Sequence, residues 1–206
     1  MSRENELFAI IRDCEYIKNV ENPTKEMCLA AVSRNGYMLQ YIKDQTEDVC
    51  LVAVSRDGFA LHYVENQTEA ICLAAVRQNG DALRFVKNQT EQICIVAVDR
   101  EPSALQFVKE QTYDVCATAI RRTPSSIKYV EQQTPDLCME AVSISGTALK
   151  YVREQTELIC LVAVRNNGTA LEYVKNQTNA VISAAIDQNP YAVVYVRQTE
   201  PKDDSL

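Results

Sequence analysis

The sequence predicts an all-α fold, an α-solenoid of eight 22-residue helix-turn-helix repeats behind an N-terminal capping helix. Two observations carry this reading. Thr recurs in strict phase at Thr24, Thr46, Thr68, Thr90, Thr112, Thr134, Thr156 and Thr178, and no insertion breaks the period between Thr24 and Arg197. Seven residues after each Thr stands Ala: Ala31, Ala53, Ala75, Ala97, Ala119, Ala141, Ala163 and Ala185. Residues that recur build such a stack, and residues that vary at fixed offsets are where function lies.

Three segments follow: a capping helix and link over 1–23, the eight repeats over 24–199 and a polar tail over 200–206. Ser2 to Lys18 reads as one amphipathic helix whose Leu7, Phe8, Ile10, Ile11, Tyr16 and Ile17 cover the first repeat. Asn19 to Pro23 is an irregular link. In the repeat starting at Thr68, the Thr suits an N-cap and Glu69 suits the positive end of the helix dipole. ICLAAV then makes a helix of about eleven residues, buried on several sides, that ends at Gly80. A shorter second helix, ALRFV, turns Ala82, Leu83, Phe85 and Val86 inward and Arg84 and Lys87 outward. Pro102, Pro124 and Pro190 replace the Gly and still break the helix. The fixed Ala implies a second helix crossing close to the backbone. Gln precedes Thr at seven junctions (Gln45, Gln67, Gln89, Gln111, Gln133, Gln155 and Gln177), which predicts amide hydrogen bonds to the neighbouring repeat's loop. In the last repeat Ile182 replaces Cys and Thr199 replaces Gln.

Seven of the eight Cys share one offset: Cys28, Cys50, Cys72, Cys94, Cys116, Cys138 and Cys160. Equivalent positions of stacked helices lie roughly 8–10 Å apart, whereas a disulfide needs Cα atoms within about 7 Å. Reduced core thiols follow, in a reducing compartment, and Cys14 outside the ladder is less buried. The N-x-T sequons at Asn66, Asn88 and Asn176 arise from the repeated loop, and a fourth is at Asn167.

The pattern QTxxxCLxAVxxxGxALxYV, as carried by Gln67, Thr68, Cys72, Ala75, Val76, Gly80, Ala82, Leu83, Phe85 and Val86, resembles the short helical repeat catalogued as domain of unknown function 4116. The resemblance spans nearly the whole chain. It implies repeat arrays like those of amoeba-infecting giant viruses and some intracellular bacteria, hence host-directed or defence-related binding. It brings no catalytic residues. Pro102 and Pro124 depart from the pattern.

A net charge of −7 argues against general nucleic-acid affinity, and no apolar run reaches membrane-spanning length. The chain reads as a cytoplasmic protein without a membrane segment. The one His, His62, has no fixed Ser, Cys or carboxylate companion, and no phosphate loop, HExxH or CxxC occurs. The reading is therefore non-enzymatic, with no catalytic residues, metal site or cofactor. Three alternatives stand for function. A scaffold would bind a protein partner through the irregular outer row of the second helix, with Tyr37, Phe59, His62 and Arg84 as contact residues. Tyr37 and Phe59 also fit a role packed under the N-terminal helix. A second alternative is an anionic ligand, nucleotide or nucleic acid held along Arg34, Arg56, Arg77, Arg100, Arg121 and Arg122. Dipole complementation explains the same Arg row, which lapses at Ser143-Ile144-Ser145, and the acidic row of Glu26, Glu47, Asp48, Glu69, Glu91, Asp114, Asp136 and Glu157. The third is a self-associating rod, a homodimer formed through a solenoid end near Val181, Ile182, Val193 and Val194.

Overall fold

A computed structural model describes residues 2–197; Met1, Thr199 and the tail 200–206 lie outside the described residues. Every regular element described is helical. The α-helices are α1 (Arg3–Arg12), α2 (Lys25–Arg34), α3 (Glu47–Arg56), α4 (Glu69–Gln78), α5 (Glu91–Arg100), α6 (Tyr113–Arg122), α7 (Pro135–Ile144), α8 (Glu157–Asn166) and α9 (Asn179–Gln188). Each is followed by a six-residue 3-10 helix, such as Gly36–Tyr41 after α2 and Gly80–Phe85 after α4. The chain divides into two compact bodies, Met1–Ala119 and Ile120–Leu206. In the first, α1 to α5 each pack on the next; in the second, α7 to α9 do the same. This is the repeat-on-repeat packing of an α-solenoid.

The repeat Thr is an N-cap in extended conformation. At Thr24, Thr68, Thr90, Thr134, Thr156 and Thr178 its hydroxyl accepts the N–H three residues on. Thr46 makes no such bond, and its buried Oγ1 has no hydrogen-bond partner. Some caps are also tied to the repeat before. The hydroxyls of Thr68, Thr112 and Thr178 donate to Glu47, Glu91 and Glu157, at 3.0, 2.6 and 2.7 Å. Those acids therefore serve stacking as well as the helix dipole.

The stretch Ser2 to Lys18 is not one helix. α1 stops at Arg12, Asp13 is extended, and Cys14–Asn19 forms a 3-10 helix capped by the Asp13 carboxylate. Ser2 is the N-cap of α1, so this stretch has the layout of a repeat. The second helix of each repeat is a 3-10 helix rather than an α-helix. Its closing bond runs from the following Val or Ile N–H to the carbonyl three back, as from Val86 to Leu83 at 3.0 Å.

Gly80 does not end its helix in a left-handed cap. No glycine has positive φ, and Asn79 is the extended C-cap, whose side chain accepts the Asp81 N–H. Glycine is needed for close approach: a Cβ on Gly58 would fall 2.6 Å from the Ala75 carbonyl oxygen, and Gly36 faces Ala53 in the same way. The fully buried Ala positions are thus where the next repeat's helix meets the 3-10 backbone. Where an acceptor is in reach the glycine N–H uses it: Gly58 donates to Gln78 at 2.7 Å and Gly146 to Asn166 at 2.7 Å. Residue 144 is Ile, which accepts nothing, and at the Gly position one repeat earlier stands Pro124, which has no N–H to donate.

The junction Gln makes the bonds its regularity predicts. Gln67 Nε2 donates to Leu61 O at 3.3 Å in its own repeat and to Phe85 O at 2.9 Å in the next. Its Oε1 accepts the Lys87 N–H at 3.0 Å and the Cys72 thiol at 3.7 Å. Both amide hydrogens and both oxygen lone pairs are used. Gln45, Gln89, Gln133, Gln155 and Gln177 clamp their neighbours in the same manner. Gln67→Ala is expected to lower stability by about 1–3 kcal/mol, the cost of stranding partly buried backbone groups. Gln106→Ala, which loses only a local bond to Ser103 O, is expected to stay within about 0.5 kcal/mol. Urea unfolding of the two variants measures both.

Candidate functional site: the aromatic and cationic row

Within each body the 3-10 helices bring one aromatic from each repeat onto one surface. In the first body these are Tyr41, Tyr63, Phe85 and Phe107; in the second they are Tyr129, Tyr151, Tyr173 and Tyr195. Tyr41 is exposed and the other seven are half-buried. With three residues per turn, the first and fourth residues of a 3-10 helix eclipse. The residues just before each aromatic and four before it therefore flank it.

The four residues singled out for partner contact lie together here. Tyr37 is half-buried and meets Tyr63 edge-on, with ring centroids 6.2 Å apart. Phe59 is half-buried and meets Phe85 edge-on at 5.8 Å. Both pack on the following repeat, not under the N-terminal helix. His62 is exposed, with its ring centroid 5.0 Å from those of both Tyr63 and Phe85. Arg84 lies over Phe107 at 4.1 Å and Phe59 at 5.6 Å, and pairs with Asp81 at 3.4 Å. The exposed guanidinium is thus stacked on the rings and paired with a carboxylate. Burial, with the Asp57 carboxylate close by, raises the Tyr37 phenol pKa above its ordinary value.

The second body repeats the theme with lysines. Lys128 lies over Tyr129 at 4.7 Å and Tyr151 at 5.7 Å; Lys150 lies over Tyr151 at 5.7 Å and Tyr173 at 5.8 Å. Beside them a cavity of about 350 Å3 is lined by Thr123, Ser125, Ser145, Thr147, Lys150 and Tyr173, among others. An ammonium over ring faces beside several hydroxyls suits a carboxylate or another hydrogen-bonding group of a partner. The sequence reading took these aromatics for core. Their register with Arg84, Lys128 and Lys150, one residue before the ring, was the signal that marks them as a surface row.

The Arg row is exposed throughout: Arg34, Arg56, Arg77, Arg100, Arg121 and Arg122 all lie at the surface. Arg121 is engaged by Glu140 at 2.5 Å. The loop bases have a different task. Lys87 Nζ donates to Glu65 O at 2.7 Å, and Arg153 donates to Glu131 O at 2.7 Å, each reaching back one repeat. In the last described 3-10 helix Tyr191, Val193 and Val194 are 81, 57 and 73% exposed. Among the described residues no group of His, Cys, Asp and Glu could hold a metal ion, and no helix is long and apolar enough to cross a membrane.

The fold and this surface define an α-helical repeat protein with a decorated aromatic face. Residues 24–68 match the family described as "Domain of unknown function (DUF4116)", the family that the repeat pattern resembles. No curated protein and no solved structure matches the chain.

The ladder thiols are buried behind the clamps, and Cys14 is less buried. Desolvation raises the pKa of Cys28, Cys50, Cys72, Cys138 and Cys160, and pushes Cys94 up to about 11. A folded thiol held above its unfolded pKa is stabilising below that unfolded value. The contribution is lost as pH rises through the window from about 8.5 towards about 11, the Cys94 value. Stability measured between pH 8 and pH 11 is therefore expected to fall, and a Cys94→Ala variant to fall less steeply. In native protein at pH 8, thiol alkylation followed by mass spectrometry is expected to label Cys14 ahead of all seven ladder thiols.

Proposed function

We propose that this chain is a non-enzymatic binding scaffold that engages a protein partner through the outer face of its 3-10 helices. The observation that carries the reading is the contiguous cluster of Tyr37, Tyr63, His62, Phe85, Phe59, Arg84 and Phe107, joined by ring and cation contacts in the first body. Large preorganised aromatics with a stacked Arg are the residues that dominate protein–protein affinity. The row is fixed in its aromatics and varied in its decoration, from Gln40 through His62, Arg84, Gln106, Lys128 and Lys150 to Glu172 and Val194. A constant platform with variable contacts suits recognition of one particular partner. Rings carrying cations favour a partner segment bearing carboxylates. Buried reduced thiols support a reducing compartment such as the cytoplasm.

A second reading, an anionic ligand along the Arg row, is favoured by one observation. Arg34, Arg56, Arg77 and Arg100 are exposed and make none of the ion pairs found among the described residues. The exposed apolar residues of the last repeat, Tyr191, Val193 and Val194, support self-association as a third.

Capture from a cell lysate separates the first two. Under the scaffold reading, Arg84→Glu and Lys150→Glu each weaken retention of the same protein by about tenfold or more, a loss of about 1.4 kcal/mol. Replacing Arg34, Arg56, Arg77 and Arg100 by Ala leaves that retention unchanged. The opposite pattern, with steep salt dependence and nucleic acid or nucleotide in the eluate, selects the Arg row. Light scattering that returns a dimer mass, lost in Val194→Asp, selects self-association.

A further inference from the structure

Five junction glutamines, Gln45, Gln67, Gln89, Gln133 and Gln155, share one socket: a carbonyl of their own repeat, a carbonyl of the next, a loop N–H of the next and a cysteine thiol; Gln177 has the first three. For Gln45 these are Leu39 O, Tyr63 O, Glu65 N–H and Cys50. Counting back one period gives Ile17 O, Tyr41 O, Lys43 N–H and Cys28, with position 23 in place of Gln45. Position 23 is Pro, which has no amide to offer. Ile17, Tyr41, Lys43 and Cys28 all line a cavity of about 600 Å3, together with Lys18, Glu21, Asn22, Pro23 and Asp44, among others.

The backbone around Pro23 is adapted to this opening. Asn22 has φ 51°, the one non-glycine residue described in the left-handed region, and Asn is among the residues that tolerate it. Ile17 O keeps its bond from the Val20 N–H at 3.2 Å, as Leu39 O keeps its bond from Ile42 at 3.1 Å. By register, Ile17, Tyr41, Lys43 and Cys28 bring to this cavity the same polar groups that hold glutamine in the other sockets. Two carbonyls accept, and one N–H and one thiol donate. That set is complementary to a primary carboxamide, which carries two N–H donors on one side and a two-lone-pair oxygen on the other. A carboxylate fails the same test, because the oxygen standing in place of the NH2 group would face two carbonyls with no hydrogen to donate. The charged residues at the cavity (Lys18, Lys43, Glu21 and Asp44) balance, so a neutral ligand is favoured. Lys18 Nζ stands 4.9 Å from the Tyr41 ring centroid and forms one wall.

We infer that the cavity at Pro23 is a binding site for a primary carboxamide supplied from outside the repeat ladder, either on a small organic molecule or as a Gln or Asn side chain of a peptide. Of the aromatic row the site borders only Tyr41, which lies outside the Tyr37–Phe107 cluster that carries the partner-binding reading, so the two stand or fall apart.

The test follows the Lys43 backbone N–H by 15N–1H correlation spectroscopy of the whole chain. Benzamide and benzoate represent the small-molecule source; N-acetylglutamine N-methylamide and its glutamate analogue represent the peptide source. The expected result is a saturable shift of Lys43 with one or both carboxamides and none with the matching acids. The carboxamide that binds more tightly identifies the source. Pro23→Gln, which supplies the ladder's own amide, is expected to abolish the shift, to slow hydrogen exchange at Lys43 and to raise the melting temperature. The inference is overturned by Lys43 unmoved by both carboxamides, or by a shift that persists in full in Pro23→Gln. A Pro23→Gln variant whose Lys43 N–H exchanges as fast as in the parent shows that the cavity is not a glutamine socket and overturns it too.

Discussion

At Gln45, Gln67, Gln89, Gln133, Gln155 and Gln177 one repeat of this chain is held to the next by one half-buried amide. Helices of ten residues and 3-10 helices of six are too short to be stable alone. The apolar layer between repeats supplies attraction, but attraction without direction. The junction Gln supplies direction. With bonds of 2.9 Å to the next repeat's Tyr63 O and 3.0 Å from its Glu65 N–H, Gln45 fixes where the next loop can sit. Such bonds are expensive to leave unmade, so a stack that slips by one residue strands four groups at each junction. The cysteine thiol completes the amide's valence. That explains a Cys at this core offset better than packing alone, since Ala or Val would fill space without donating.

Once the pitch is fixed, the outer surface is free to vary. At six of the 3-10 helices the aromatic is placed by the clamp itself, because the carbonyl that accepts from the Gln belongs to it, as Phe85 O does for Gln67. Scaffold and surface are thus joined through one peptide unit. The amide holds the backbone of the aromatic, and the ring is presented half-exposed above it. Neighbouring rings and the cations between them vary from His62 to Arg84 in the first body and from Lys128 to Lys150 in the second, without disturbing the bonds beneath. The loop bases Lys87 and Lys109 are drawn into the same task, reaching back to carbonyls of the previous repeat. Much of the positive charge near the junctions is therefore structural, in contrast to the cations over the rings and the exposed Arg34, Arg56, Arg77 and Arg100.

The period, the helix pairing and the clamp were legible in the sequence, because each is a residue type recurring where composition alone would not put it. A Gln at the same offset in seven loops has no other economical explanation. Three features were not legible. The break at Asp13 was hidden because residues 2–23 replace three marker positions at once: Glu6 for Cys, Cys14 for Gly and Pro23 for Gln. The glycine after each helix marks the helix end in the sequence, where a left-handed cap is the commonest reason for glycine. Its true reason, a carbonyl of the next repeat where a Cβ would stand, is a tertiary fact that local sequence does not carry. The aromatic row was read as core because a one-letter apolar pattern records hydrophobicity and not which edge of a ring meets solvent. The four contact candidates in the variable row were found, since variation at a fixed offset is visible in any strict repeat.

Native-state hydrogen exchange at single loop residues tests the clamp most directly. Lys87, Lys109, Arg153 and Lys175 lie in exposed loops, yet their N–H groups donate to the clamp oxygens at 2.8–3.0 Å. The account predicts that these amides exchange far more slowly than those of the adjoining Asn88, Glu110, Glu154 and Asn176, with protection approaching that of the helix cores. Exchange at Lys87, Lys109, Arg153 and Lys175 as fast as at those neighbours would contradict it, and would return the stacking of this chain to apolar packing alone.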